Sequence, residues 1–419
     1  MKLQKLMGLL GPGIVWAATS IGVSHIVQST RAGADYGFAL IGFILLAHVI
    51  KYPFFLFGPK YAGLTGKSLL DGYKSVGNPA FYLFLALTLI TMFFVQSGVT
   101  IVTAALAMNL FGDVLSLSGW AALILSIVCL VLIVGHYKTL STLLKWMMLA
   151  LAICSVFAWF AAVGRLGFMP SGDAPTISLT AGASIAFIVA LVGWMPTAIE
   201  VSVWHSLWTL SRLESRQEKP GVQAANNACI DFKIGYVTSL FLALIFVSLG
   251  AMLMFGQSVG FANAAAAFTA QLIGIYTKAL GDWSWLLMAV ITFVALFSTT
   301  FAVADGFPQV WKRAYSLVTS EQSETKNNKV YIISLAILAV GSWWIITDFS
   351  ADIKQLLDFV TTVSFVSAPI YGWLNYQVMM NADISDEHKP RGIFKIYTLV
   401  CLMILTSFSL FYLWWKFIA

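Results

Sequence analysis

Apolar residues in this chain come in runs of roughly 18–25, each closed by a few charged or small polar positions, the length a helix needs to cross about 30 Å of hydrocarbon. They predict eleven spans, at about 11–33, 36–58, 79–105, 118–136, 140–163, 182–207, 231–255, 283–305, 329–346, 355–376 and 396–415. Two of these runs are interrupted. The first, GPGIVWAATSIGVSHIVQSTRAG, meets Gly22 and Ser24 in its middle, and His25, Gln28, Ser29, Thr30 and Arg31 follow. The sixth, AGASIAFIVALVGWMPTAIEVSVWHSLW, is broken at Gly193 and Pro196, with Glu200 and His205 beyond. Irregular backbone at membrane depth is tolerated only where it lines a cavity or is buried in protein.

Spans one to five and six to ten each begin with an interrupted helix. Five is odd, so the second set lies inverted in the membrane relative to the first, and paired interruptions of this kind point to a carrier's binding site. The predicted division is 1–163 for the first five-helix repeat, 164–376 for the second, and 377–419 for a peripheral eleventh helix.

Composition agrees with a membrane protein. The 419 residues are 59% hydrophobic and 10% charged, against about 25% charged in a soluble globular chain. The first run leads into Gly and polar residues with no small-residue cleavage site, so no cleavable signal peptide is read. The net charge of +6 is dispersed over short loops and is no nucleic-acid signal. Cys129, Cys154, Cys229 and Cys401 lie in or beside apolar runs without metal-ligand or disulfide spacing, and read as free thiols.

The basic residues orient the spans. With the N-terminus inside, 17 Lys and Arg fall in inner loops and five (Arg31, Arg165, Lys278, Lys354 and Lys416) in outer ones. Short loops rich in Lys and Arg stay cytoplasmic, which predicts a multi-pass cell-membrane protein with its N-terminus inside and C-terminus outside. The polar stretches 208–230 and 314–328 read as solvated inner connectors.

At each break, half-helix ends offer N–H groups to anions and carbonyls to cations. The substrate-binding candidates are Gly22, Ser24 and His25 in the first span, and Gly193, Met195, Thr197 and Glu200 in the sixth. His25 reads as a metal ligand, a proton carrier or a hydrogen-bonded packing residue. Met195 is a soft thioether, of the kind that favours transition metals, or a packing residue. Glu200 either faces a cavity, to bind a cation or carry a proton, or sits near the interface and pairs with a base. Gln96, Thr299, Thr300 and Thr361 are candidates for the cavity or for coupling. Asp231 reads as a cap of the seventh span, Asp305 marks the polar end of the eighth, and Pro369 is a kink in the tenth.

The segments GPGIVWAATSIG…AGADYG, TAALAMNLFG at 103–112 and GWMPTAIE at 193–200 resemble the Nramp family of divalent metal transporters. That resemblance implies an all-α membrane protein with the LeuT-like 5+5 inverted repeat, helices 1 and 6 broken. The family's first break carries Asp-Pro-Gly-Asn, whose Asp and Asn bind the metal. This chain reads Gly22-Val23-Ser24-His25, with His25 in the Asn place. The family's Met-Pro-His in the sixth helix is Met195-Pro196-Thr197 here, so the metal-binding Met is retained and the His linked to proton movement is lost. Acidic positions on the third helix become Gln96 and Val99. A site without that acid is weaker for a divalent cation. The resemblance implies a carrier of Mn²⁺, Fe²⁺ or Zn²⁺ held by His25 and Met195, working by alternating access, and loss of the family's acidic route leaves proton coupling, sodium coupling and uncoupled transport all open. The alternative is an amino acid or other small organic solute on the same fold. No cofactor is called for, and membrane lipid is the expected surrounding. No clustered acid–base or nucleophile set points to an enzyme, nor a repeated filter to a channel.

Overall fold

The computed structural model describes residues 11–135, 137–168, 182–256, 260–320, 323–349 and 352–418. Lys2 and Lys5, counted above for orientation, lie outside them. Every regular element described is helical, as expected where backbone groups have no water to bond to. The first span is α1 (Pro12–Ser20), a π-helical segment (Val23–Ser29) and α2 (Thr30–Tyr36). There follow α3 (Ile41–Thr65), α4 (Leu69–Val76), α5 (Asn78–Phe111), α6 (Leu117–Val134) and α7 (Tyr137–Leu166). The sixth span is α8 (Gly182–Trp194) and α9 (Val201–Ser215). Then come α10 (Val222–Met254), α11 (Ala265–Leu280), α12 (Trp285–Thr319), α13 (Glu324–Asp348), α14 (Ile353–Met380) and α15 (Gly392–Phe417).

Among the described residues, eight helical segments are long and apolar enough to cross a membrane, and α8 is a shorter apolar helix. The interrupted first span is not of that length in one piece. The tenth predicted span matches α14, long enough but with the polar stretch TTVSFVSAP in its middle, and it is not among the eight.

Two short helices were not anticipated. Helix α4 is nucleated by a capping box in which Ser68 and Asp71 satisfy each other's backbone N–H groups. Helix α11 occupies part of what was read as one long loop. The polar connectors are also shorter than expected. Helix α9 runs on to Ser215 and α10 starts at Val222, while α12 ends at Thr319 and α13 starts at Glu324. Charged Glu, Arg and Lys are good helix formers, so these helices continue past the apolar stretch into polar surroundings.

The helices divide into two groups. Helix α10 packs on α1, α2 and α3, and α9 packs on α3. Trp16 is fully buried at the centre of this group, with the rings of Phe55, Phe232 and Tyr236 at 5.2, 5.3 and 5.3 Å. Helices α2 and α10 approach so closely that a Cβ on Gly33 would lie 2.0 Å from the Val247 oxygen, the small-residue contact by which membrane helices associate. In the second group α12 packs on α5, α7 and α13, and α5 on α6 and α13. Helix α14 joins the groups, touching α8 on one side and α5 on the other. The apolar windows of α6, α7, α13 and α15 are only 22–28% buried, against 61–72% for α3, α5, α10 and α12. The former therefore present their surface to lipid.

Candidate functional site

In the first span regular α-helix stops at Ser20, Ile21 and Gly22 leave it, and the Gly22 carbonyl accepts from the N–H of His25 and Ile26 to restart the chain. The break thus takes in Gly22 but not Ser24, which lies in the restarted π-helical segment. Gly22 is required by packing: a Cβ there would lie 2.4 Å from Oγ1 and 2.8 Å from Cγ2 of Thr299 on α12. In the sixth span α8 continues through Gly193 to Trp194, and the non-helical stretch runs from Met195 to Glu200. Gly193 therefore does not open the helix. It lets α8 lie on α14, where a Cβ would come 1.9 Å from the Thr361 carbonyl oxygen.

The two breaks touch. The Ser24 hydroxyl lies 3.1 Å from the Pro196 carbonyl and 2.5 Å from that of Ser20. Beside them is a cavity of about 20 Å³, lined by Ser24, Thr197 and Thr299 with Val99 and the indoles of Trp194 and Trp204. That volume holds about one water. The structure thus brings together four of the residues singled out, one from each interrupted span, Val99 from α5 and Thr299 from α12.

The others lie outside this lining. His25 is fully buried with both ring nitrogens engaged, Nδ1 at 2.7 Å from Ser24 Oγ and Nε2 at 2.9 and 3.0 Å from the hydroxyl and carbonyl of Ser239. Whichever tautomer is present, neither nitrogen has a lone pair to offer without losing a bond. Met195 is fully buried in an apolar cluster with Ile44, Ala47, Val192 and Phe365. Gln96 donates to Thr100 Oγ1 at 3.0 Å and to the Thr300 carbonyl at 3.3 Å, and Thr300 and Thr103 share a hydrogen bond of 2.9 Å. Both therefore tie α5 to α12. The Thr361 hydroxyl donates 2.7 Å to Leu357 within its own helix. Among the described residues no group of three or more His, Cys, Asp or Glu is placed to hold a metal ion.

Glu200 is buried at the start of α9, its Oε2 accepting from Thr91 Oγ1 at 2.9 Å and the Tyr371 hydroxyl at 3.1 Å, while Oε1 has no partner. Among the described residues no basic side chain lies within ion-pair distance of it, so it forms no salt bridge there. His205, within α9, is fully buried, with neither ring nitrogen bonded and the Phe232 ring at 5.6 Å. Asp231 lies within α10 and caps another helix: its carboxylate accepts from the N–H of Gly11 at 3.1 Å and of Gly13 at 2.8 Å, at the start of α1.

Sequence reasoning passed over Lys51. It lies in an apolar run of α3, is fully buried, and its ammonium donates to the carbonyls of Val192 at 2.6 Å, Gly193 at 2.7 Å and Thr197 at 3.3 Å. The signal available was a lone Lys in mid-span, which the loop count of charges left out.

The two faces of the molecule differ. Where α1 begins, a cleft of about 900 Å³ opens between α1 and α9 on one side and α12 and α13 on the other, with Pro12, Leu207, Asp305, Gln309 and Tyr331 in its walls. At the opposite face Arg31 binds Asp358 of α14 through both guanidinium nitrogens, at 2.7 and 3.1 Å, and donates 2.8 Å to Gln28. This bidentate clasp closes the first span onto α14 above the breaks.

A many-spanning all-α chain with two interrupted helices meeting at a small cavity has the fold of secondary transporters. Over 98% of its length it is similar to the Eremococcus coleocola manganese transporter, crystallised with an aromatic bis-isothiourea compound, with a TM-score of 0.68, 13% identity and 87% of that chain covered. It is similar also to MHP1, a nucleobase-cation-symport-1 family transporter with bromovinylhydantoin bound, with a TM-score of 0.59, 14% identity, and 98% and 94% of the two chains covered. MhsT in complex with L-phenylalanine matches with a TM-score of 0.58, 14% identity, and 95% and 97% of the two chains covered. Residues 13–415 match the family described as Nramp, Natural resistance-associated macrophage protein-like, and the chain belongs to it. A Pasteurella multocida (strain Pm70) relative, "Uncharacterized protein PM0681", is 32% identical over 96% of this chain and 91% of its own length.

Proposed function

We propose that this member of the family carries a small organic solute, such as an amino acid, by alternating access. The observation that carries the reading is the lining of the cavity where the breaks meet: hydroxyls from Ser24, Thr197 and Thr299 beside two indoles, and no carboxylate, imidazole or thioether. A divalent ion leaving water needs compensating charge or several strong ligands. Hydroxyls and apolar walls suit a solute that brings its own polar groups.

In this reading the chain is a LeuT-like 5+5 inverted repeat of eleven spans, with helices 1 and 6 broken, repeats at 1–163 and 164–376, and a peripheral α15. The face with the wide cleft is cytoplasmic, the Arg31–Asp358 clasp is the outer closure, and the central site widens as the group built on α10 rocks against the group built on α12. Coupling to a proton belongs to the same proposal, with Glu200 as the carboxyl available to it.

The second reading is a divalent transition metal. It draws on family membership and on Met195 next to Pro196. Uptake of labelled amino acids and of Mn²⁺ into vesicles of purified protein separates the two. Saturable amino-acid uptake with Mn²⁺ inert is the expected result. Saturable Mn²⁺ uptake unaffected by amino acids would sink the first reading.

A further inference from the structure

We propose that Lys51 is a built-in cation, filling from within the chain a place at the second break that a free metal or sodium ion would otherwise take. Helix α8 ends at Trp194, so its last carbonyls lose their partners one turn on, and that of Val192 keeps only a 3.3 Å bond from the Met195 N–H. Those of Val192 and Gly193, with that of Thr197 from the non-helical stretch, converge on one point. Three backbone oxygens at the negative end of a half-helix are what a hard cation binds. Here the point is occupied by the Lys51 Nζ.

An ammonium has three protons, and three acceptors surround it. A neutral amine has two, and would leave one carbonyl facing a lone pair. Among the described residues no carboxylate lies within ion-pair distance of Lys51, so the charge is balanced by the carbonyl dipoles. Burying it without them would be costly. The lysine belongs to α3, which packs on both α8 and α9, so the ammonium travels with the break it holds.

Two consequences follow. The break keeps its shape with no inorganic ion bound. The fixed positive charge beside the cavity disfavours a cation there and favours a neutral or anionic solute. The inference goes beyond the choice of solute above, since it concerns what holds the break open.

The test uses full-length protein in detergent and reads melting temperature, which requires no transported solute. Wild-type protein, Lys51→Ala and Lys51→Met are each melted in sodium chloride, manganese chloride, n-propylammonium chloride and, as the control, choline chloride of equal ionic strength. The wild type should melt alike in all four. Lys51→Ala should melt lower, and n-propylammonium or sodium should raise it by about 2–4 °C over choline. Lys51→Met, whose stem refills the path without a charge, should melt lower and gain from neither. A wild type stabilised by sodium or manganese overturns the proposal, and that measurement stands even if neither variant can be purified. A Lys51→Ala protein that melts like wild type, or ignores both small cations, overturns it as well. Because no organic solute enters the assay, a wild type stabilised by sodium, or a Lys51→Ala protein that ignores both small cations, counts against the Lys51 proposal alone, while the organic-solute reading stands or falls on uptake.

Discussion

At the first interruption two residues, Ile21 and Gly22, leave the helix, and at the second the six from Met195 to Glu200 do. The short one restarts almost at once, and the side chains around it are hydroxyls and one imidazole: Ser24 reaches back to Ser20, across to Pro196 and, at 2.7 Å, to His25, and Thr299 lies 3.3 Å from the Ala18 carbonyl. The long one is bounded by charge and aromatic polarity, with the Lys51 ammonium on its carbonyls and the Glu200 carboxyl held by Thr91 and Tyr371. A two-residue gap leaves few orphan groups, which neutral hydroxyls can satisfy. A six-residue gap leaves more, and a mobile hydroxyl cannot fix three carbonyls at once. Two breaks alike in plan are therefore not alike in what stabilises them.

The comparison is broken most forcefully at Gly193. Its hypothetical Cβ meets backbone, the Thr361 carbonyl oxygen at 1.9 Å, and no rotamer change relieves that. Gly193→Ala should destabilise the protein by about 3 kcal/mol, seen as a large fall in melting temperature in detergent. Its counterpart Gly22→Ala meets only the Thr299 side chain, at 2.4 Å. A cost of about 1–2 kcal/mol is expected, and Thr299→Ala should return part of it in the double variant. Equal losses at the two glycines, or an additive double variant, would erase the distinction between backbone-held and side-chain-held breaks.

How far these features were legible follows from their range along the chain. The long apolar helices and the existence of both breaks were readable, because an apolar run interrupted by Gly or Pro is a local signal. The limits of each break were not. Gly193 looks like a helix breaker, yet it is a packing glycine whose partner Thr361 lies far along the chain. Asp231 read as a cap, and it is one, but of a helix more than 200 residues away. His25 and Met195 matched a family's ligand positions by place, while whether their lone pairs face the cavity is set by Ser239 and by the cluster around Phe365. Lys51 is the clearest case: what makes it notable is three carbonyls about 140 residues downstream.

Glu200 sharpens the charged side of the comparison. Glu200→Gln keeps shape and an oxygen for Thr91 and Tyr371, so stability should change by no more than about 1 kcal/mol. If the carboxyl carries a coupled proton, uptake in vesicles should lose its dependence on external pH while keeping its affinity for solute. An unchanged pH profile would remove Glu200 from coupling and leave it a packing residue of the second break.

The smallest effect is expected where neither break is involved. Asp383, in the connector after α14, accepts from the Tyr61 hydroxyl at 3.0 Å, Ser75 at 3.1 Å and Lys67 at 3.3 Å, tying that connector to α3 and α4. Partial burial pushes its carboxyl up, but the hydrogen bonds from Tyr61, Ser75 and Lys67 outweigh it and hold it below the ordinary 3.8. A carboxylate whose folded value is depressed stabilises the fold fully above its unfolded value, and that stability is lost as pH falls through the folded value. The melting temperature of wild type relative to Asp383→Asn should therefore be slightly higher at pH 7 and converge on it below about pH 3.8. At this surface position the gap at pH 7 should be within about 1 kcal/mol, and higher salt should narrow it. The melting of both proteins across pH 3–7 at two salt concentrations reads this directly. A gap as large as that of Gly193→Ala would mean that the connector, and not the breaks, holds the fold together.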